Sequence, residues 1–192
     1  MDKRDKLFPY RKELPNEADV LIFGAIDSQQ IPAVLNQYLN MHGSDVKGFD
    51  NCLEITHQDG TKSFSMKRHI SASDKKASEE EIIVVDIIGQ KIAGMGSIYR
   101  VDPMNCPPGE LNAPLIDRID TVDEFEGLGL AKRRYILMNQ LCLKYFGEPL
   151  NSAGRFEHDA TPYIWTEFIK EGLAESFICE SGEECFRFKK SL

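Results

Sequence analysis

The stretch "DEFEGLGLAKRR", residues 123–134, sets two glycines, Gly127 and Gly129, between an acidic run and a segment that opens with three basic residues. A strand that turns into a helix through such a stretch makes an anion site. The first N–H groups of a helix have no intrahelical acceptor, and the aligned peptide dipoles place partial positive charge beside them. Glycine removes the Cβ atoms that would hold a phosphate off those amides, and Lys132, Arg133 and Arg134 add charge nearby. A pyrophosphate suits the corner, although the same junction also serves simple strand-to-helix packing. The spacing excludes two common phosphate-binding loops: there is no G-x-x-x-x-G-K-[ST], and no G-x-G-x-x-G after a first strand with an acidic residue some 20 positions on.

Acid–base candidates cluster around the same stretch. Asp117 and Asp120 lie on the preceding segment "LIDRIDTV" with opposite facing, so one of them can face a bound ligand and serve as a base. Either also reads as an ordinary surface carboxylate. Glu110 and Asn112 are weaker base candidates, and Tyr163 offers a hydroxyl that packing alone would equally explain. His42, His57, His69 and His158 read as solvated or core-satisfied. No Ser, His and Asp arrangement with a nucleophile elbow is present, and no metal-ligand spacing appears, so no metal is expected.

Several elements must hold these residues in place. "ADVLIFGAI" is an apolar, β-branched strand, followed by Asp27 and Ser28 as helix caps and a helix over "QQIPAVLNQYLNMHG" ending at Gly43. "CLEITHQDGTKSFSMKRHI" alternates around Asp59-Gly60 as a β-hairpin, and "SASDKKASEEE" is an exposed charged segment. "EIIVVDIIGQKIAGMGSIYRV" reads as two strands turning at Gly89-Gln90, with Gly94 and Gly96 marking a bulge or a close backbone approach. "LIDRIDTV" is a strand. "LAKRRYILMNQLCLKYFG" is a helix with Ile136, Leu137, Leu141, Leu143 and Tyr145 apolar and Gly147 at its end. A strand over "PLNSAG", a helix over "HDATPYIWTEFIKEGLAE" and two short strands around Ser181-Gly182 complete an α/β (α+β) order with a mixed central sheet flanked by helices.

The whole chain bounds the reading. Its 192 residues, 42% hydrophobic and 28% charged, suit a single domain. Residues 1–16 form an N-terminal arm and 17–192 the domain. The five cysteines contain no C-x-x-C pair and read as reduced structural thiols, with Cys179 and Cys185 able to meet across the terminal hairpin. Apolar runs are far shorter than the roughly 20 residues a membrane helix requires, and the start lacks a signal peptide's apolar segment, so a cytoplasmic protein is expected, with no membrane partner. The net charge of −8 opposes nonspecific nucleic-acid binding and is compatible with an amine-bearing substrate.

"IDTVDEFEGLGLAKRR" resembles the acyl-CoA-binding motif of the GNAT N-acyltransferase superfamily, where a strand runs into Q/R-x-x-G-x-G/A and then a helix. Glu126, Gly127, Leu128, Gly129, Leu130 and Ala131 occupy those six positions. The resemblance covers roughly residues 80–190, with the acyl-CoA-binding core at about 80–175, and "VLIFGAIDSQQIPAVLNQYL" matches the family's first strand and helix. It implies an N-acyltransferase that moves an acetyl or other short acyl group from acyl-CoA to an amine of a small molecule or protein, with homodimers allowed. It further implies that the amides of Leu128, Gly129, Leu130, Ala131 and Lys132 hold the CoA pyrophosphate. Ile119, Thr121 and Val122 then bond the pantetheine arm as if pairing with another strand, Thr161 falls where the family often places an Asn near the cofactor, and the hairpin region 44–80 helps form the acceptor pocket.

Two residues depart from the family's pattern. Glu126 replaces Gln or Arg and sets a carboxylate beside the pyrophosphate, unless it turns away or pairs with Lys132 or Arg133. Phe168 stands where many members place a tyrosine that protonates the leaving thiolate. Two alternatives follow: a catalytically weak acyl-CoA-binding sensor, or an acyltransferase using an acyl-carrier protein, whose phosphopantetheine lacks the nucleotide end.

Overall fold

A computed structural model of the chain describes residues 22–26, 30–41, 49–57, 60–70, 79–101, 113–152, 160–179 and 182–190. The N-terminal arm, the caps Asp27 and Ser28, His42, the charged segment 71–78, Glu110, Asn112 and His158 lie outside them. In chain order the elements are β1 (Ile22–Ala25), α1 (Ala33–Met41), β2 (Asn51–Thr56), β3 (Lys62–Ile70), β4 (Glu79–Ile88), β5 (Lys91–Val101), β6 (Leu115–Thr121), α2 (Leu130–Phe146), α3 (Ala160–Lys170), β7 (Ala174–Ile178) and β8 (Glu184–Phe188). A 3-10 turn at Asp123–Phe125 separates β6 from α2. The order is the mixed α+β one expected from the sequence.

Six strands form one sheet in the order β1-β2-β3-β4-β5-β6, and β7 pairs with β8 in a second, two-stranded sheet. The β2–β3 hairpin turns through Gly60 at φ 79°, with Leu53 opposite Ser65. The β4–β5 turn holds only Gly89 and Gln90, where the sequence places it. The chain divides into two compact units whose boundaries fall inside β3, β4, β5, β6 and α2.

The first unit holds residues 1–69, 82–96 and 119–134. Because strand side chains alternate between faces, β4 presents Ile83, Val85 and Ile87 to one side and Asp86 to the other. On the apolar side those three pack with Leu35 and Leu39 of α1 and with Phe64 and Met66 of β3. On the other side the sheet is polar in part, with Ser63, Ser65 and Asp86 all buried.

The second unit holds residues 70–81, 97–118 and 135–192. Its centre is aromatic. Trp165 stacks on Phe186 with ring centroids 5.9 Å apart, and Tyr135, Phe168 and Phe188 complete the cluster.

Two expectations need correction. The strand expected over "PLNSAG" reduces, among the described residues, to isolated bridges of Asn151 with Leu115 (parallel) and Arg187 (antiparallel). Ser152 N–H donates to the Phe186 carbonyl at 2.8 Å, on the edge opposite the one that Asn151 turns to β6. The apolar stripe of α2 is also rotated: Leu130, Arg134, Leu137, Met138, Leu141 and Cys142 are buried, while Ile136, Leu143 and Tyr145 are only partly so.

Candidate functional site

β6 is the last strand of its sheet, so one of its edges meets β5, and among the described residues the other edge carries only the Asn151 bridge at Leu115. Val122 N–H donates to the Ala93 carbonyl of β5 at 3.0 Å. Backbone groups of successive strand residues alternate between the two edges, so those of Thr121, next to Val122, belong to the outer one, the edge on which Ile116 N–H bonds the Asn151 carbonyl at 3.2 Å. The Val122 carbonyl accepts Phe125 N–H at 2.8 Å as the chain leaves the strand.

From Val122 the chain makes the 3-10 turn, with Phe125 buried against Ala93 and Leu130, and passes through Glu126 into the glycine corner. Gly127 and Gly129 have φ of 70° and 77°, the left-handed region where a side chain is strained. A Cβ at either would meet nothing within 4 Å. Backbone conformation, not crowding, therefore requires these glycines, and the space above them is open. α2 begins at Leu130, and the first bond into its first turn runs from Arg133 N–H to the Gly129 carbonyl at 3.1 Å. The amides of Leu128, Gly129, Leu130 and Ala131 have no hydrogen-bond partner among the described residues. Four donors at one positive helix end over open space fit an anionic oxygen cluster.

Three side chains around the corner bear on its charge. Glu126 is exposed and has no ion-pair partner among the described residues, so it pairs with neither Lys132 nor Arg133. Arg133 reaches back to the β2–β3 hairpin and donates from Nη1 to Thr61 Oγ1 at 2.8 Å. Arg134 adds no charge to the corner, because it is fully buried and ion-paired with Asp86 at 2.7 Å.

Arg134 belongs to a buried relay that the sequence reading missed. Its Nε donates to Asp86 Oδ2 at 2.9 Å, and its Nη1 donates to the Asp120 carbonyl at 2.7 Å. Asp86 Oδ1 accepts the Ser63 hydroxyl at 2.6 Å, and His57 Nε2 lies 2.6 Å from Ser63 Oγ. Ser63 has one proton and gives it to Asp86, so His57 must be the donor to Ser63. That polarity is the reverse of an activated serine nucleophile, in which the histidine accepts. Two features of the sequence signal the relay: one acid inside the apolar run "IIVVDII", and one arginine four residues after Leu130, on the buried helix face.

The remaining candidates lie apart from the corner's own hydrogen bonds. Asp117 is exposed on β6 and accepts from Ser97 Oγ at 3.0 Å. Asp120 is half-buried, three positions on and therefore on the other face. Tyr163 is 67% exposed on α3. Thr161 falls in α3, and its side chain lies outside the described residues. Phe168 is fully buried in the aromatic cluster, so neither its chemistry nor its position serves a proton donor.

Two thiols are held protonated. Burial, opposed only by the nearby Arg100 charge, pushes Cys142 far up. Burial, with a hydrogen bond to Cys179, pushes Cys185 up to about 12. Among the described residues no group of His, Cys, Asp and Glu could hold a metal ion, and no helix is long and apolar enough to cross a membrane.

No protein-family model matches the chain, and no curated protein matches it in sequence. Among solved structures, a Bacillus anthracis (strain Ames) protein provisionally named a streptothricin acetyltransferase, solved in complex with acetyl coenzyme A, is similar over 89% of this chain and 96% of that one. The identity is 11% and the TM-score 0.37.

Proposed function

We propose that this chain is an N-acyltransferase that moves an acetyl or other short acyl group from acyl-CoA to an amine. The observation that carries the reading is the four partnerless amides, Leu128 to Ala131, standing over open space at the end of a sheet-edge strand. The pyrophosphate takes those amides. The pantetheine amides take the outer edge at Thr121, a form of strand addition that brings main-chain hydrogen bonds without a dedicated pocket.

The chemistry asks little of the protein. A neutral amine attacks the thioester carbonyl, the C–N bond forms, and the C–S bond breaks as the CoA thiolate leaves. The amine's proton goes to a carboxylate, Asp117 or Asp120, directly or through water. A thiolate is a good leaving group, so the buried Phe168 is tolerable where a tyrosine would otherwise serve. The acceptor is an amine of a small molecule or a protein.

Calorimetry with acetyl-CoA, CoA and a pantetheine fragment tests the donor. Binding by none of them removes the reading, and pantetheine equal to CoA favours an acyl-carrier-protein donor. Thiol release from acetyl-CoA across an amine panel then tests the transfer. Phe168 and Glu126 favour one second reading, an acyl-CoA sensor with little catalysis; tight binding without thiol release across the panel supports it.

A further inference from the structure

We propose that Arg134 and Asp86 are positioning residues for the acyl-CoA site, fixing which backbone groups of β6 face the cofactor. The inference rests on the acyl-CoA reading above and adds to it a buried device that no motif position contains. The guanidinium is the link. Its Nε and Nη2 are held by Asp86 Oδ2 at 2.9 and 2.7 Å, and its Nη1 holds the Asp120 carbonyl at 2.7 Å. With the Asp120 carbonyl held by Arg134 and Val122 N–H held by Ala93, alternation sends the groups of Thr121 to the outer edge; Ile116 N–H bonds Asn151 on that same edge, so the alternation slips once between Ile116 and Val122, where Arg134 acts. Thr121 Oγ1 lies a further 3.5 Å from Nη1, at the limit of a hydrogen bond.

Gly94 is an independent mark of the same design. A Cβ there would fall within 3.0 Å of both the Arg134 guanidinium and the Asp120 carbonyl oxygen. Gly94 lacks a positive φ, so its requirement comes from this close approach and not from backbone conformation. Three elements are thus shaped around one side chain: β4 supplies the counter-charge, β5 the gap and β6 the carbonyl. Asp86 is oriented in turn by Ser63 at 2.6 Å. A buried ion pair is weak evidence for stability, since apolar replacement of both partners is often neutral. Its retention is better explained by the carbonyl it holds.

The test compares wild type with the double variant D86N/R134M, which removes both charges together and leaves Ser63 an acceptor. R134K is carried beside it, because a lysine keeps the charge but cannot hold Asp86 and the Asp120 carbonyl as a fork does. Acetyl-CoA affinity is read by calorimetry, and amide exchange is read at Ile119–Val122 against β2 as the internal reference. The expected result is a native melting transition, acetyl-CoA binding weakened about tenfold or more, and exchange at Ile119–Val122 accelerated about tenfold while β2 is unchanged. Should the double variant not fold, R134K decides alone on the same two readouts. Native affinity and native exchange in a folded variant overturn the proposal. If wild type itself does not bind acetyl-CoA, the functional reading fails on that result, and the exchange data alone decide whether Arg134 fixes the strand.

Discussion

At the scale of single residues, backbone amides are the working groups of the candidate site, and the side chains near them set limits. Gly129 sits at φ 77° with open space above it. Gly129→Ala is therefore expected to lose about 1–2 kcal/mol of stability from the left-handed backbone. It should also weaken acetyl-CoA binding, because its methyl group enters the anion's space; denaturant melts and calorimetry read the two effects separately. Glu126 is exposed and places one negative charge beside the corner. Glu126→Gln should tighten acetyl-CoA binding at low salt by less than tenfold, and the gain should fade as salt shortens the Debye length to about 8 Å at 0.15 M. The cysteine thiols show the opposite logic, buried where charge is unwelcome. Cys185 is raised from 9.0 to about 12, so the native state holds its proton more tightly than the unfolded chain. Its contribution is fully present below pH 9 and is lost as pH climbs towards 12. Iodoacetamide at pH 8 should accordingly leave Cys142 and Cys185 unlabelled in native protein and modify both in denaturant; equal labelling rates in the two states would contradict the assignment.

Among the elements, period-two and helical patterns were legible in the sequence, and the departures have identifiable causes. The β4–β5 turn, the β2–β3 hairpin and the terminal β7–β8 pair follow from Gly89, Gly60 and Gly182, each at positive φ. The face of α2 did not follow, because pattern reading assigns a charged residue to solvent. Arg134 is buried through a partner 48 positions away, and local periodicity carries no information about such a pair. Around Asn151 the described residues bridge β6 on one edge and β8 on the other, pairings set by distant chain that the local pattern does not contain. In the second unit, α3 and β8 are joined by aromatic packing. Trp165→Ala removes a fully buried ring from that cluster and should cost about 3–5 kcal/mol in chemical denaturation. Phe168→Tyr is a sharper probe of function. It restores the hydroxyl of the family pattern, yet places it among Tyr135, Trp165 and Phe188, and is expected to destabilise by about 1–3 kcal/mol without raising the rate of thiol release.

For the whole molecule, an anionic ligand must bind a chain of net charge −8. Sites built on lysine and arginine clusters lose affinity steeply with salt, since each neutralised phosphate releases counterions. Here Arg134 is committed to Asp86 and Arg133 Nη1 to Thr61, so on the proposed reading the anion rests mainly on neutral amides, with Lys132 the nearest remaining cation in sequence. Affinity for acetyl-CoA should therefore change by less than about threefold between 0.05 and 0.3 M salt, because screening relieves the overall repulsion while it weakens the helix-end attraction. The glycine corner and its resemblance to an acyl-CoA motif were readable from twelve residues. The buried relay behind it was not, because it joins β3, β4, β6 and α2, and becomes visible only when those elements are folded together. The central claim, that the amides from Leu128 to Ala131 receive the pyrophosphate of an acyl-CoA, is tested most directly by calorimetric titration of acetyl-CoA into the purified chain alongside the pantetheine fragment. Saturable one-to-one binding, at least about tenfold tighter for acetyl-CoA than for pantetheine, is the result expected. Absence of acetyl-CoA binding at millimolar concentration, or equal affinity for the two, would contradict it.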